Sequence, residues 1–497
     1  MSIKTALVNT TKTTLGPVTL LQYLHGQGFQ VDYYHAPKHA DKLYTPTDIS
    51  LLAEALKGYD LVGLSSFTIS QERTFQLAKA IKNISPLTHI TIGGPNVIMD
   101  PERILQDSPA DSVCIHEGEI PMAQLITKLD NAARFDDIPG FWFKKKNKIL
   151  LNSYARPLEN LDEIPFENYK QSRHGSYFRL TPGGFISEAS LAEGIENPCM
   201  FRSCVYMMTT RGCPYDCSYC INSTLNHLAE EQAFPRMRRM SNHAVIAGLQ
   251  STLENDTSIE NIFFFDDDFS LRTETELEEF ALLYRERIGL PFHIFANPNT
   301  TTNRKLDIYA AAGLASVEFG VQTVSERVLQ IYNRQQNAEH MKRILDYVRT
   351  KRLDIRLSFD IITNSPFEQS QDIVENIKYI LTLPGEFELY VHNLHLFPGS
   401  VLWKKNGGGT GNENHEYQDN YSPAGTAFYN KLHSKLLFAM QGLHSEEAPD
   451  RYGCLTSSEI QNILDSGVED KNYFLKMLNE RMAATRVATY YQDLNRE

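Results

Sequence analysis

Three cysteines, Cys213, Cys217 and Cys220, fall within eight residues of one another between Thr210 and Asn222. Three thiolates hold three irons of a four-iron cluster and leave the fourth iron without a protein ligand, whereas an electron-transfer cluster is normally held by four cysteines. The open iron is then a place for chemistry. A zinc ion would want a fourth Cys or His at ribbon-like spacing, and the nearest candidate, His227, lies seven residues past Cys220.

The elements that must position this loop can be read on either side of it. The apolar run Cys204-Val205-Tyr206-Met207-Met208 leads into it as a buried strand. Beyond it, strands are expected at Ile262–Phe265, His293–Ala296, Ser316–Gly320, Ile355–Asp360 and Leu389–Leu396. Helix-like segments such as Asn242–Glu254, Glu274–Ile288, Ala338–Thr350 and Gln369–Leu381 alternate with them. Residues 1–145 show the same alternation, with strands expected at Thr5–Val8, Gln30–Tyr34, Leu61–Ser65, Ile90–Ile92 and Ser112–Ile115. This is the pattern of a doubly wound α/β sheet, in which ligands sit beyond the carboxyl ends of the strands. Three loops there stand out: Ser65 to Gln71, Gly93-Gly94-Pro95-Asn96, and Glu117-Gly118-Glu119. A glycine pair at a strand end admits a ligand or another backbone, or makes a tight turn.

The cysteine spacing, with Tyr219 before the last cysteine, resembles the radical S-adenosylmethionine (SAM) signature. Read with the three loops, the chain resembles the cobalamin-dependent radical SAM family from its start to about residue 400. The resemblance implies a Rossmann-like cobalamin-binding domain over 1–145 and a hairpin and linker over 146–203. A partial (βα)6 barrel over 204–402 and a mostly helical cap over 403–497 would follow. Barrel enzymes place their chemistry at the carboxyl ends of strands, and the cysteine loop obeys that rule.

By this resemblance Cys213, Cys217 and Cys220 hold a 4Fe-4S cluster whose open iron chelates SAM. Tyr219 frames the adenine, Asp268 faces the SAM ammonium, and Asn297 and Gln322 line the SAM site. Gly320-Val321-Gln322 matches a family segment that bonds SAM, and Arg334 matches an arginine that follows it; that arginine pairs with a carboxylate or serves as a structural ion pair. Asp267 reads as a solvated helix cap. Of His392 and His395, at most one faces the barrel interior, because strand side chains alternate.

In the first domain the resemblance puts Ser65, Ser66, Thr68 and Ser70 under the corrin. Gly93 and Gly94 would lie against the nucleotide tail, and Glu117 and Gly118 on the third loop. The first loop reads Asn9-Thr10-Thr11-Lys12, not Asp-x-His-x-x-Gly, so a histidine-ligated cobalt is not expected. Methylthiotransferases, which have a similar layout, carry three further cysteines in the first domain. Here that region has only Cys114, which reads as a small buried hydrophobe. Cys199 and Cys204 read as ordinary thiols rather than ligands of a second cluster.

Composition bounds the rest. The chain has 497 residues and a net charge of -13 from 48 basic and 61 acidic residues, so no basic field invites nucleic acid or an anionic membrane. No signal-like or membrane-spanning apolar stretch occurs, and seven clustered cysteines do not form a disulfide framework. A cytoplasmic setting is expected.

The implied activity is methylation of an unactivated carbon of a small molecule, through a 5'-deoxyadenosyl radical and methylcobalamin. An external reductant of flavodoxin or ferredoxin type would supply electrons. Three other readings stay open: a cobalamin- and SAM-dependent cyclase or rearrangement enzyme, a radical SAM enzyme without functional cobalamin, and a noncatalytic iron-sulfur protein.

Overall fold

The computed structural model describes residues 3–11, 15–38, 42–146, 148–165, 174–181, 184–188, 203–384 and 387–407. Cys199, Cys454 and all but the first residues of the expected cap over 403–497 lie outside this set. Two compact units make up the chain. The first comprises 1–214, 224–261 and 397–400, and the second 215–223, 262–396 and 401–497.

Among the described residues, the first unit holds a nine-stranded sheet. β1 (Thr5–Asn9), β2 (Val31–His35), β3 (Leu61–Ser65), β4 (His89–Gly93) and β5 (Ser112–Cys114) are parallel, in the order β5-β4-β3-β1-β2. Helices Leu15–Gly26, Pro46–Ala55, Gln71–Ile84 and Glu119–Asp130 connect or follow them. One sheet face is apolar over its centre, where Ala6, Val8, Val62, Leu64, Ile90 and Ile92 pack on Leu52, Leu77 and Ile81 of the helices, and Asp32 shares that face on β2. The opposite face carries Thr5, Asn9, Tyr33, His35, Gly63 and Thr91, because register pairs Asn9 with His35 and Gly63 with Thr91.

Both edges are extended. β6 (Phe141–Lys145) runs antiparallel to β5 and forms a hairpin with β7 (Lys148–Leu151). On the far edge β8 (Tyr177–Thr181) lies parallel to β2 and pairs with β9 (Gly184–Glu188). The stretch read as a hairpin and linker therefore contributes strands to the first sheet, with β8 and β9 paired antiparallel from Tyr177 opposite Glu188 to Thr181 opposite Gly184.

The second sheet follows β10 (Cys204–Met207) and a two-residue pairing of β11 (Thr210–Arg211) with β12 (Arg238–Arg239). Its strands are β13 (Asn261–Phe264), β14 (Phe292–Ala296), β15 (Leu314–Gln322), β16 (Arg356–Thr363) and β17 (Glu388–Asn393). They are parallel and pair in sequence order, β13-β14-β15-β16-β17, an open sheet rather than a closed barrel. Phe264 and Phe292 point outward and meet Phe280 and Tyr284 of helix Glu274–Arg287. That helix begins with a capping box between Thr273 and Glu276. Alternation turns Phe263, Phe295, Glu318, Asp360, Tyr390 and His392 to the other, inner face.

Candidate active site

The cysteine loop is pinned at several points. Gly212 has φ +90°, and a Cβ there would stand 2.0 Å from the Arg236 carbonyl oxygen, so only glycine fits. Asn226 Nδ2 donates to the Cys213 carbonyl at 3.0 Å. In the second unit Ser218, 1 % exposed, donates through its amide to Tyr332 O at 2.8 Å and through its hydroxyl to Ile331 O at 2.9 Å. The Cys220 amide returns to Cys217 O at 2.9 Å, and helix Ile221–Gln232 starts at the next residue.

Arg334 sits against this loop. It donates to Cys217 Sγ at 3.5 Å, to the Tyr219 hydroxyl at 3.2 Å and to the Gly320 carbonyl. Its partners are thus a thiol, a phenol and a backbone oxygen, not the carboxylate that the sequence suggests. The Tyr219 ring packs edge-on against Tyr332 at 5.1 Å between centroids. Burial, with the Asp267 carboxylate beside it, pushes the Cys220 thiol up to about 11. A metal displaces that proton on binding, because it coordinates thiolate.

The donor set fits a cluster better than a single ion. Cys213, Cys217 and Cys220 have no fourth Cys or His at ribbon-like spacing to complete a zinc tetrahedron. A zinc site brings its sulfurs to about 2.3 Å from one centre, whereas the ligands of a cubane cluster are spread over separate irons.

The three aspartates after β13 have three fates. Asp266 is buried in an ion pair with Arg272 at 3.1 Å, and that guanidinium lies over the Phe269 ring. Asp268 is 4 % exposed and accepts from Ser270 N at 3.0 Å, Thr300 Oγ1 at 3.0 Å and Asn297 N at 3.2 Å. It is therefore the cap of the short 3-10 turn Phe269–Leu271, the role expected for Asp267. Asp267 instead bonds the Asn222 side chain, and although it is exposed by area, crowding protein atoms raise its carboxyl. The carboxylate that faces the cysteine loop is Asp267, and Asp268 holds Asn297 in place from below.

Gln322 ends β15 with φ +73°, beyond a break in register after Gly320. A Cβ at Gly320 would meet Gln322 Nε2 at 3.0 Å and Arg334 Nη2 at 3.4 Å, so this glycine lets both side chains reach the strand end. Tyr219, Gln322 and Arg334 are thus brought together, while Asn297 and Asp268 form a neighbouring group at the end of β14.

The inner face joins His392 and Glu318 through Asp360, a link that sequence reading did not make. Glu318 shares a hydrogen bond with Asp360, and Asp360 Oδ1 lies 3.3 Å from His392 Nε2. Burial first, and then the Asp360 and Glu388 carboxylates, hold Glu318 protonated well above the usual carboxylate range. His392 is thus the interior-facing histidine, and the signal available in sequence was alternation in three adjacent strands. A raised folded-state pKa means that the native protein keeps a proton that the unfolded chain releases, so this group's contribution falls as pH rises above the ordinary glutamate range. Glu318→Gln should therefore leave Tm nearly unchanged near pH 5 and raise it by about 2–4 °C at pH 8. A difference that does not vary with pH would rule out this account.

In the first unit the strand order reverses between β1 and β3, which is where a ligand crevice opens in a sheet of this winding. The loops Asn9 to Thr11 and Ser65 to Ser70 occupy those two strand ends. Thr10, Ser66 and Ser70 are buried, Thr68 Oγ1 donates to Asn96 Oδ1 at 3.4 Å, and Asn96 Nδ2 donates to Ser66 Oγ at 3.3 Å. At the carboxyl end of β2, in register with Asn9, both ring nitrogens of His35 are buried without a hydrogen-bond partner. Such orphaned groups fit a large ligand with polar substituents entering from that side.

Gly94 has a protein-internal reason to be glycine: φ is +102° and its Cβ would meet Ser66 O at 2.7 Å. Gly93 is less constrained, its Cβ lying 3.5 Å from that of Cys114. Cys114 is 5 % exposed, a small buried side chain as the sequence suggests. Glu117 is engaged by protein, receiving Arg211 Nη1 at 2.8 Å and a two-pronged contact from Arg238, while Arg211 also reaches Glu119 at 2.6 Å. Gly118 precedes helix Glu119–Asp130. The two arginines went unnoticed in the sequence because their partners lie 94 and 121 residues away.

Comparison with known proteins matches residues 3–126 to the B12 binding domain model and residues 207–380 to the Radical SAM superfamily model. An uncharacterized methyltransferase of Pyrococcus horikoshii, PH0819, is 26 % identical over 396 residues, 79 % of this chain and 78 % of that one. The cobalamin-dependent radical SAM methyltransferase TokK of Streptomyces tokunonensis is 21 % identical over 73 % of this chain and 50 % of its own length. The solved structure of the radical SAM methyltransferase TsrM of Kitasatospora setae, with cobalamin and a 4Fe-4S cluster bound, superposes with a TM-score of 0.61. It is 17 % identical, covering 81 % of this chain and 74 % of that one, a likeness of fold. With both domains present in this order, the chain belongs to the cobalamin-dependent radical SAM family of enzymes.

Proposed function

We propose that this enzyme methylates an unactivated carbon of a small-molecule substrate. The observation that carries the reading is the presence, in one chain, of a B12 binding domain and a three-cysteine loop at the carboxyl end of a radical SAM strand. Cluster, SAM and cobalamin, when bound, supply reductive cleavage of SAM to a carbon-centred radical and delivery of a methyl group. The chain's own residues hold and orient them. Cys213, Cys217 and Cys220 hold the cluster, and Ser218 and Arg334 keep the loop in place. Tyr219, Asn297 and Gln322 line the SAM site, with Asp267 rather than Asp268 presenting a carboxylate to it. The loops at Ser65–Ser70 and Gly93–Gly94 hold cobalamin, and Glu117 positions the third loop through its arginines.

C-methylation by this route needs no general base, so no residue is assigned to proton transfer. Electrons come from an external flavodoxin or ferredoxin type of donor, and the reaction belongs in the cytoplasm. No described helix is long and apolar enough to cross a membrane.

Anaerobic reconstitution with iron, sulfide and hydroxocobalamin, followed by incubation with SAM and a strong reductant, tests the reading. About one four-iron cluster and one cobalamin per chain are expected, with both 5'-deoxyadenosine and S-adenosylhomocysteine formed. A cluster and 5'-deoxyadenosine without retained cobalamin would sink the two-cofactor mechanism.

A further inference from the structure

Gln336 lies between two anchored residues in the second unit. Two residues before it, Arg334 reaches Cys217, Tyr219 and Gly320. On either side of it, Asn299 Nδ2 donates to Gln335 O at 2.6 Å, and the Asn337 amide donates to Asn299 Oδ1 at 3.4 Å. Asn299 is itself fixed, its amide donating to Asn297 Oδ1 at 2.9 Å. The segment is thereby tied to the ends of β14 and β15, where Asn297 and Gln322 stand. Yet the Gln336 carboxamide has no partner at either end: Nε2 and Oε1 are both sealed from solvent and unbonded, and Arg334 Nε nearby is in the same state.

A neutral amide in that condition loses its bonds to water and gains none in return, an arrangement that persists where another molecule completes it. The missing partner must present a donor and an acceptor side by side. The charged ammonium and carboxylate of SAM are better matched by ionic groups or metal, whereas its nucleoside offers two such pairs. One is the adenine edge, with its 6-amine beside a ring nitrogen, and the other is the ribose cis-diol.

We propose that Gln336 binds the nucleoside half of SAM through both ends of its carboxamide. This rests on the radical SAM reading of the same site. The residue holds the nucleoside by hydrogen bonds at one side while Tyr219 and Gln322 flank the same strand ends, and it acts on cofactor affinity rather than on the chemical step.

The test is calorimetric titration of the anaerobically reconstituted enzyme, wild type and Gln336→Met, an apolar side chain of similar length. Three probes are compared: S-adenosylhomocysteine, its 2'-deoxy analogue, and the analogue whose purine 6-amine is replaced by hydrogen. The expected result is about tenfold weaker binding of S-adenosylhomocysteine by the variant. Wild type should also discriminate against one of the two analogues, and the variant should lose that discrimination. Loss against the 6-hydrogen purine assigns the base edge, and loss against the 2'-deoxy sugar assigns the diol.

Equal affinity in variant and wild type would overturn the proposal. So would a weakening that is the same for all three probes, which would show that the residue only supports the loop or holds a water. Wild-type protein that carries its cluster and binds no S-adenosylhomocysteine or SAM is seen before any substitution is made, and that outcome overturns the functional reading instead.

Discussion

Cys217→Ala protein, reconstituted with iron and sulfide, should hold almost no four-iron cluster and cleave SAM about a thousandfold more slowly than wild type, a barrier increase of about 4 kcal/mol. Two thiolates leave two irons open, so the cluster loses both its tether and the single vacant corner on which specific chelation depends. The substitution also removes the sulfur that Arg334 contacts at 3.5 Å, loosening the residue that links the loop to Tyr219 and Gly320. Iron and sulfide analysis with electron paramagnetic resonance of the reduced protein reads the result. Cys114→Ala makes the same chemical change in β5 and should keep full iron content. If Cys217→Ala retained its iron as well, the cysteine loop would not be the cluster site.

Gly212→Ala should unfold the approach to that loop. The position combines φ +90° with a Cβ placed 2.0 Å from the Arg236 carbonyl oxygen, and a backbone atom of the paired strand segment cannot swing aside as a flexible side chain would. Backbone strain and overpacking together amount to about 4 kcal/mol. Gly58→Ala is the control. It has φ +84° and nothing within 4 Å of the added carbon, so only the backbone term of about 1–2 kcal/mol applies. Urea midpoints of the two variants separate these contributions. Equal losses would show that the backbone at Arg236 yields more readily than its geometry indicates.

Sequence and structure agree where the physics is local. Leu61–Ser65 has the bounds read from the chain and helix Asn242–Asn255 runs one residue past its expected end, because a continuous apolar run marks a doubly covered strand and a 3.6-residue period marks a helix. Agreement ends where a partner far along the chain decides. Nothing in three consecutive aspartates says which one turns inward. Asp268 does so because Thr300 and Asn297 wait for it, and Asp267 is left for Asn222.

The arginine contacts of Glu117 were hidden for the same reason: Arg211 and Arg238 are remote in sequence. The hairpin of β8 and β9 was hidden by turn-rich composition, though it completes an edge of the first sheet. The paired glycines were legible as an approach site, but the approaching group at Gly94 is the backbone of Ser66.

The arginine clamp on Glu117 and Glu119 bears on the order of events during synthesis. Arg238 is made 121 residues after Glu117 and after all three loop cysteines, so at typical elongation rates about 5–25 s separates the two ends of the clamp. During that interval the carboxylates wait for Arg238, and β11, which leads into the cysteine loop, waits for its partner β12. Iron and sulfur delivered then would meet a loop without its anchors. The clamp on Glu117 can therefore close only after the cysteine loop has been made.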